Sequence, residues 1–371
     1  MYTIIEQMDL QAGIEKAEKV MRKSKKPILE SVLLSAYDGK ITITANNLES
    51  AIIIDVDGNI QESGSILIDK SNFKLIKKLS GRLHITDDAG TVKIKGNREL
   101  KFKQGNIENY PQVKNQVNNE AFLITENEFK NSLKIKIFAS TEEYRLQIAS
   151  CCITGDRIAA TDGYRLAKID LNIDNKCNHD IIIPIYAIME LDKILDKKSV
   201  KELKFEYYSE LIGNKEELKY LRITGQEMGM QWQYITRLIG GEYIKIDQII
   251  PTEFKLNINI NKDKLKESTE FSQEILSEKQ PIIFDITKEF KVSGTGKDKE
   301  FSEIIHNDLN IAESDYMKIG YNPKYLIDVF KTLPDDRIKL SFVGGANKPM
   351  IITGNKTNNE TYMVLPVRIA S

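Results

Sequence analysis

Cysteine, histidine and tryptophan are scarce: the chain has three Cys, three His and one Trp in 371 residues. The cysteines are Cys151, Cys152 and Cys177, odd in number and without CxxC spacing. No disulfide framework or zinc ribbon is readable, and a reducing cytoplasm is the expected compartment. His84, His179 and His306 lie far apart, without the spacing of metal ligands. No run of about 18 apolar residues occurs, so no membrane span is expected. The opening MYTIIEQMDLQ lacks a charged n-region and an apolar h-region, so no secretory leader is expected. An excess of one charge is missing too: 53 Lys and Arg meet 54 Asp and Glu, a net charge of −1. That balance hides where the charges sit.

Candidates for catalysis are equally thin. SGTGKDK (293–299) lacks the GxxxxGK[ST] order of a phosphate loop and reads as a hairpin turn. Asp162 precedes Gly163 and reads as a turn former. Cys151 and Cys152 are adjacent, so on a strand they point to opposite faces and serve packing. No nucleophile, base and orienting group come together in the sequence, and no cofactor is implied.

Strand signals fill much of the chain. KITITANN (40–47), AIIIDV (51–56), LHITDD (83–88) and TVKIKG (91–96) alternate or carry β-branched residues between Gly, Asn and Asp. Helices are few and recur in order. Asp9 opens LQAGIEKAEKVM; Thr125 opens ENEFKNSLKIKIF, with Glu128 placed for a capping box; Asn261 opens KDKLKESTEFSQEIL. A second type spans 69–79, 183–195 and 321–333, each with a Leu-bearing stripe and a late Lys. Self-similarity at this period means one unit used three times. Polar and Pro-bearing stretches near 111–120 and 251 place domains at 1–118, 119–251 and 252–371. The fold class is α+β, with antiparallel sheets and two helices per domain.

Particular motifs now carry a resemblance. KPILESVLLSAYDGKITITANNLES (26–50), ENYP (108–111), the segment 142–170 ending in TDGYRLAKID, TRLIGGEYIKIDQIIP (236–251), YNPKYLIDVF (321–330) and YMVLPVRI (362–369) stand in one order. Together they resemble the bacterial DNA polymerase III β subunit family, the replicative sliding clamps. The resemblance implies three repeated clamp domains per chain, each with two inward helices and outer sheets. Two chains would form a head-to-tail dimeric ring. Twelve helices about 10 Å apart close a circle that leaves a hole of roughly 25–30 Å, wide enough for a duplex. The implied function is non-enzymatic: encircling double-stranded DNA without regard to sequence and tethering the polymerase for processive replication. An accessory clamp-like paralogue serving repair or a mobile element, and an enzyme acting on nucleic acid, are the alternatives.

The resemblance also implies sites. DNA-facing candidates are Lys16, Lys19, Arg22, Lys23, Lys74, Lys77, Lys78, Lys130, Lys134, Lys136, Lys262, Lys264 and Lys266, which would read phosphate rather than base. Ring closure would pair an edge strand at 98–103 with one of the third domain of the other subunit. There Leu100 would meet Ile275 and Leu276. A cleft between the second and third domains would take short peptides of the polymerase α subunit, the clamp loader and repair proteins. Its candidates are Ile148, Thr161, Gly163, Tyr164, Arg165, Leu166, Ile244, Gln248, Ile249, Asn322, Tyr325, Met363, Leu365, Pro366, Val367 and Arg368. Asn322 and Arg368 are expected to bond the peptide backbone. Ile244 stands where the family commonly has Pro, Gln248 departs from its usual residue, and Ala370 and Ser371 extend past its usual terminus.

Overall fold

The computed structural model describes residues 1–142, 144–199, 201–227, 229–278, 280–306 and 309–369. Ala370 and Ser371, the expected extension, lie outside the described residues. The chain packs into two compact units, Met1–Asn131 with Ile173–Gly241, and Ser132–Asn172 with Glu242–Ser371.

The first unit holds helices α1 (Gln7–Glu18), α2 (Phe73–Ile76), α3 (Glu126–Ser132) and α4 (Ile185–Ile194). Leu10, Ile14 and Ala17 fall on one face of α1 and are buried, following the helical period. Burying each of Leu10 and Ile14 stabilises the unit by about 1.5–3 kcal/mol. Gly13 permits the close approach, since a Cβ there would sit 2.6 Å from Ile43 Cδ1. α1 begins earlier than its sequence suggests: Asp9 lies in the first turn rather than before it, where a carboxylate favours the positive end of the dipole. The expected helix 69–79 is instead a 3-10 turn, Lys70–Asn72, followed by the short α2. Ser71 and Asn72 are weak helix formers, and Lys74, Lys77 and Lys78 repel one another along the remainder. Thr125 Oγ1 accepts from Glu128 N at 3.4 Å and so caps α3. That helix gives way at Leu133–Phe138 to a 3-10 turn rather than running to 138.

Two antiparallel sheets complete this unit. One has the order Gly58–Glu62, Tyr2–Glu6, Arg82–Asp88, Thr91–Lys95, Glu99–Lys103. The other runs Asn119–Thr125, Glu202–Ile212, Lys215–Glu227, Met230–Arg237, Ser50–Val56, Lys40–Asn46, Ser31–Tyr37, Gly64–Asp69. Its central pairing joins the first repeat to the second: Ile54 lies opposite Trp232 and Ser50 opposite Thr236.

The second unit holds helices α5 (Ile246–Ile249), α6 (Lys262–Gln273) and α7 (Pro323–Thr332). Asn261 Oδ1 accepts from Lys264 N at 2.9 Å, the cap expected for α6. Seven of its strands form one antiparallel sheet in the order Ser150–Thr154, Arg157–Thr161, Arg165–Asp170, Glu360–Val364, Met350–Gly354, Arg337–Phe342, Leu256–Asn261. The second repeat joins the third where Arg165 lies opposite Val364 and Ile169 opposite Glu360. A four-stranded sheet has the order Glu300–His306, Phe290–Thr295, Ile282–Ile286, Met317–Tyr321. Residues 296–299 form the hairpin turn read from SGTGKDK. Cys151 and Cys152 are both buried on Ser150–Thr154. Among the described residues no helix is long and apolar enough to cross a membrane.

Candidate functional site

Every residue expected to line the peptide cleft falls in the second unit. Its centre is the turn at 162–165. Asp162 Oδ1 accepts from Tyr164 N at 2.9 Å and Arg165 N at 3.0 Å, and Gly163 takes φ +92°. Only Gly adopts that angle without steric cost. Thr161 Oγ1 donates to Arg165 O at 2.7 Å and accepts from Gly163 N at 3.0 Å. The turn exposes Tyr164 and sends Arg165 inward.

Arg165 is a buried hub rather than an open wall. Its Nε donates to Asp162 Oδ2 at 2.9 Å, one terminal nitrogen to Asp328 Oδ2 at 2.5 Å, and the other to Ile137 O at 2.8 Å. Its guanidinium lies 5.0 Å from the Phe138 ring centroid and 4.7 Å from that of Tyr325, as cation–π attraction favours. Tyr164 stacks on Tyr325 at 6.4 Å. The C-terminal segment is tied alongside: Leu365 N donates to Tyr164 O at 2.9 Å, Val367 N donates to Gly320 O at 2.8 Å, and Leu166 lies opposite Met363. Thr161, Gly163, Tyr164, Arg165, Leu166, Tyr325, Met363 and Leu365 therefore meet in one place.

The other cleft candidates divide. Asn322 spends its Oδ1 on Lys324 N at 3.0 Å and caps α7, so that oxygen serves the helix rather than a ligand backbone. Ile148 is buried. Ile244, Gln248 and Ile249 are exposed around α5, and Arg157 holds Asp247 of that helix at 2.5 Å. Pro366 and Val367 are half-buried, and Arg368 is exposed. Asp328 and Phe138 were missed from the sequence. Burial, with the Asp162 carboxylate as a second cause, raises the Tyr325 phenol above its ordinary value.

The basic residues also divide. In the first unit Lys16 is buried, paired with Glu227, and sits over the Trp232 ring. Lys130 is buried against Asp192, at 2.7 Å from its Oδ1. Arg22 donates to Glu190 and lies over Tyr186. Lys77 pairs with Glu15 at 2.9 Å. Lys19 is half-buried; burial, with Lys16 next, lowers its pKa. Lys23, Lys74 and Lys78 are exposed. In the second unit Lys262 is buried and donates to Leu333 O at 2.9 Å, at the end of α7, where a cation complements the dipole. Lys134 pairs with Glu360, Lys264 donates to Ile304 O at 2.9 Å, and Lys136 and Lys266 are half-buried. Lys16, Lys130 and Lys262 thus serve the fold rather than an open basic face.

The edges expected at ring closure are present in each unit. Glu99–Lys103 ends its sheet, with Leu100 and Phe102 half-buried. Glu300–His306 ends the other. Beside it Leu276 is buried, Ile275 half-buried, and the exposed Phe271 stands edge-on to Phe301 at 5.7 Å.

Three like domains that share sheets through strand pairing define a clamp-fold protein. Family models for the DNA polymerase III beta subunit match in tandem: the N-terminal domain over residues 1–114, the central domain over 112–244 and the C-terminal domain over 247–368. The chain belongs to the DNA polymerase III beta subunit family. It is 24% identical over 364 residues to a beta sliding clamp of Staphylococcus aureus, covering 92% of each chain. The crystal structure of the DNA polymerase III subunit beta from Pseudomonas aeruginosa covers 100% of both chains with a TM-score of 0.87 at 18% identity. That from Thermotoga maritima covers 100% of both with a TM-score of 0.84 at 19% identity.

Proposed function

We propose that two copies of this chain close head to tail into a ring around duplex DNA, as a non-catalytic sliding clamp that tethers a replicative polymerase. The observation that carries this reading is the pair of unfilled sheet edges. Two domain junctions within the chain are made by antiparallel strand pairing. Each unit also has a sheet with Glu99–Lys103 or Glu300–His306 as one of its two terminal strands. Unpaired edges are templates for strand addition, and pairing them between two copies closes a two-fold ring. The three domains are 1–118, 119–251 and 252–371, and the compartment is the cytoplasm.

DNA is held by topology, and the exposed Lys23, Lys74 and Lys78 supply weak phosphate attraction that does not depend on sequence. The Tyr164–Tyr325 surface, with Met363 and Leu365, takes short peptides from the polymerase, the clamp loader and repair proteins. Light scattering on dilution tests the ring: twice the 42.4 kDa chain mass is expected, with retention on circular but not linear DNA. Leu100→Asp with Ile275→Ala should give folded monomers that are not retained. A wild-type monomer at micromolar concentration rules out encirclement. Leu365→Ala should weaken binding of a polymerase-tail peptide; unchanged affinity places the pocket elsewhere.

A further inference from the structure

The two within-chain junctions are built alike. In each, a four-residue turn separates paired strands: residues 47–50 between Asn46 and Ala51, and 162–165 between Thr161 and Leu166. Asn47 Oδ1 accepts from Glu49 N and Ser50 N, as Asp162 Oδ1 does from Tyr164 N and Arg165 N. Glu190 and Asp328, which take the side chains of Ser50 and Arg165, each lie six residues beyond the residue that precedes their helix, Pro184 or Asn322. At the first junction these contacts occupy the face of the sheet that the helices cover. Phe205 stands against Phe129 of α3 at 4.8 Å, and Tyr234 donates to Glu190 of α4 at 2.7 Å.

The opposite face of that sheet carries the linker between the first two repeats, laid across the strands. Tyr110 OH donates to Thr44 O at 3.0 Å, and Asn46 Nδ2 to Pro111 O at 3.2 Å. Asn115 Nδ2 donates to Gln233 Oε1 at 2.7 Å, while its Oδ1 accepts from Arg222 at 3.2 Å. Asn118 Nδ2 donates to Ser209 O at 2.9 Å. Amide and guanidinium side chains on this face therefore hold a peptide segment crosswise, strand after strand.

A groove of about 400 Å³ opens on the same face. Thr224 and Gln231, which line it, lie two residues along their strands from Arg222 and Gln233, so all four point the same way. Leu123, Lys204 and Thr224 form one cross-strand row. Glu202 and Gln226 lie two residues further along, with Gln231 opposite Gln226. Leu123 is 46% exposed. Lys204 is engaged, its ammonium 3.1 Å from Glu120 and 3.1 Å from Glu206. The Glu202 carboxylate is exposed and pairs with no cation among the described residues.

We propose that this groove is a docking site of the first unit for an extended peptide of a partner protein, bearing an apolar side chain and, two residues on, a lysine or arginine. The apolar side chain covers Leu123 and the cation meets Glu202. Leu123 lies opposite Lys204, so Glu202 is its diagonal neighbour, roughly 7–8 Å away. Side chains i and i+2 of an extended chain stand about 6.6–6.8 Å apart, which fits that span. Thr224, Gln226 and Gln231 supply hydrogen bonds to the peptide main chain, as Arg222 does to Asn115 O at 3.4 Å. The Tyr164–Tyr325 surface belongs to the second unit, so this site is separate from the cleft proposed there.

Titration calorimetry on the full chain tests the proposal with two probes, acetyl-Ser-Asn-Leu-Gln-Lys-Asn-Ser-amide and the same peptide with Glu in place of Lys. The lysine probe should bind about fivefold more tightly at low salt, and the preference should fade at high salt. Glu202→Lys should reverse the order of the two probes, and Leu123→Ser should weaken both. An excess of polymerase-tail peptide should leave the lysine probe bound. Equal affinity for the probes, no binding at millimolar peptide, or an order that Glu202→Lys leaves unchanged overturns the proposal. Displacement by the polymerase-tail peptide overturns it too, by assigning the probe to the cleft. A cleft that fails to bind the polymerase-tail peptide leaves the probe results to stand by themselves.

Discussion

The two within-chain junctions share a frame and differ in where the charge lies. At the first, the buried group is an anion. Glu190 accepts from Arg22 Nε at 2.9 Å, Asn47 Nδ2 at 3.0 Å, Ser50 Oγ at 2.5 Å and Tyr234 OH at 2.7 Å, and its cation comes from beyond the turn. At the second, the buried group is a cation. Arg165 belongs to the turn itself and is held by two carboxylates, a carbonyl and two rings. A carboxylate at one helix position has thus been kept while its partner changed. The cationic version also orders Tyr325 and Tyr164 at the surface, so the second junction can carry a binding site. The anionic version turns Tyr234 inward onto Glu190 and leaves Tyr186 half-buried beneath Arg22.

Removing the cation of each junction should separate the two most strongly. Arg165→Ala leaves Asp162 and Asp328 facing each other beside apolar rings, and breaking a buried pair in this way costs about 3–5 kcal/mol. Urea melting should register that loss, and peptide binding at Tyr164 should fail with it. Arg22→Ala should cost less, about 2 kcal/mol, because three neutral donors still satisfy Glu190 and the Arg22 side chain is already 43% exposed. Peptide binding should be untouched. Equal losses, or a peptide defect in Arg22→Ala, would contradict the division of labour.

The turns themselves offer a finer comparison. Leu48 takes φ +77°, at the place where the second turn has Gly163 at +92°. A side chain with a Cβ in that region costs roughly 1–2 kcal/mol, and Asn47 holds the turn by accepting at its Oδ1 from Glu49 N and Ser50 N, just beyond Leu48. Leu48→Gly should therefore stabilise the protein by about 0.5–1 kcal/mol, since Leu48 is exposed and loses little packing. Gly163→Ala should destabilise by about 1 kcal/mol. Thermal unfolding measures both, and shifts of the same sign would show that the turns are not equivalent.

Much of this frame was readable before the structure. Asn261 and Thr125 cap helices because short polar side chains reach the orphan N–H groups of the first turn. Asp162 forms its turn for the same local reason. Local chemistry, however, does not report what a side chain meets at long range. Lys16, Lys130 and Lys262 recur on helices and read as one basic face, yet their ammonium groups are buried on Ile194 O, Asp192 and Leu333 O. Arg165 read as a pocket wall because its partner Asp328 lies 163 residues away. A signal for Glu190 and Asp328 was present: acidic residues at one position in two of three repeated helices. It emerges only when the repeats are aligned on their caps. The domain stretches near 118 and 251 likewise do not coincide with the packed units, because the sheets run through both junctions.

The smallest effect separates the junctions by pH. Tyr234 OH donates to Glu190 Oε2 at 2.7 Å, and burial, followed by the Glu190 charge, holds its phenol well above the usual 10.0. Tyr186 beside it is pushed up to about 12 by burial and then Glu49. A folded pKa raised in this way contributes stability that is fully present below the unfolded value. It is lost as pH climbs, because the unfolded chain releases the proton near pH 10 while the folded chain keeps it. Tyr234 should therefore make the protein less stable at pH 10.5 than at pH 8, by about 1 kcal/mol. Tyr234→Phe removes that share, so the gap between variant and parent, set at pH 8 by the lost hydrogen bond, should narrow by the same amount at pH 10.5. Tyr325 at the second junction is half-buried and stacks rather than donating to a buried carboxylate, so Tyr325→Phe should narrow its gap less. Parallel stability–pH curves for parent and Tyr234→Phe would mean that the Glu190 hub does not hold this proton.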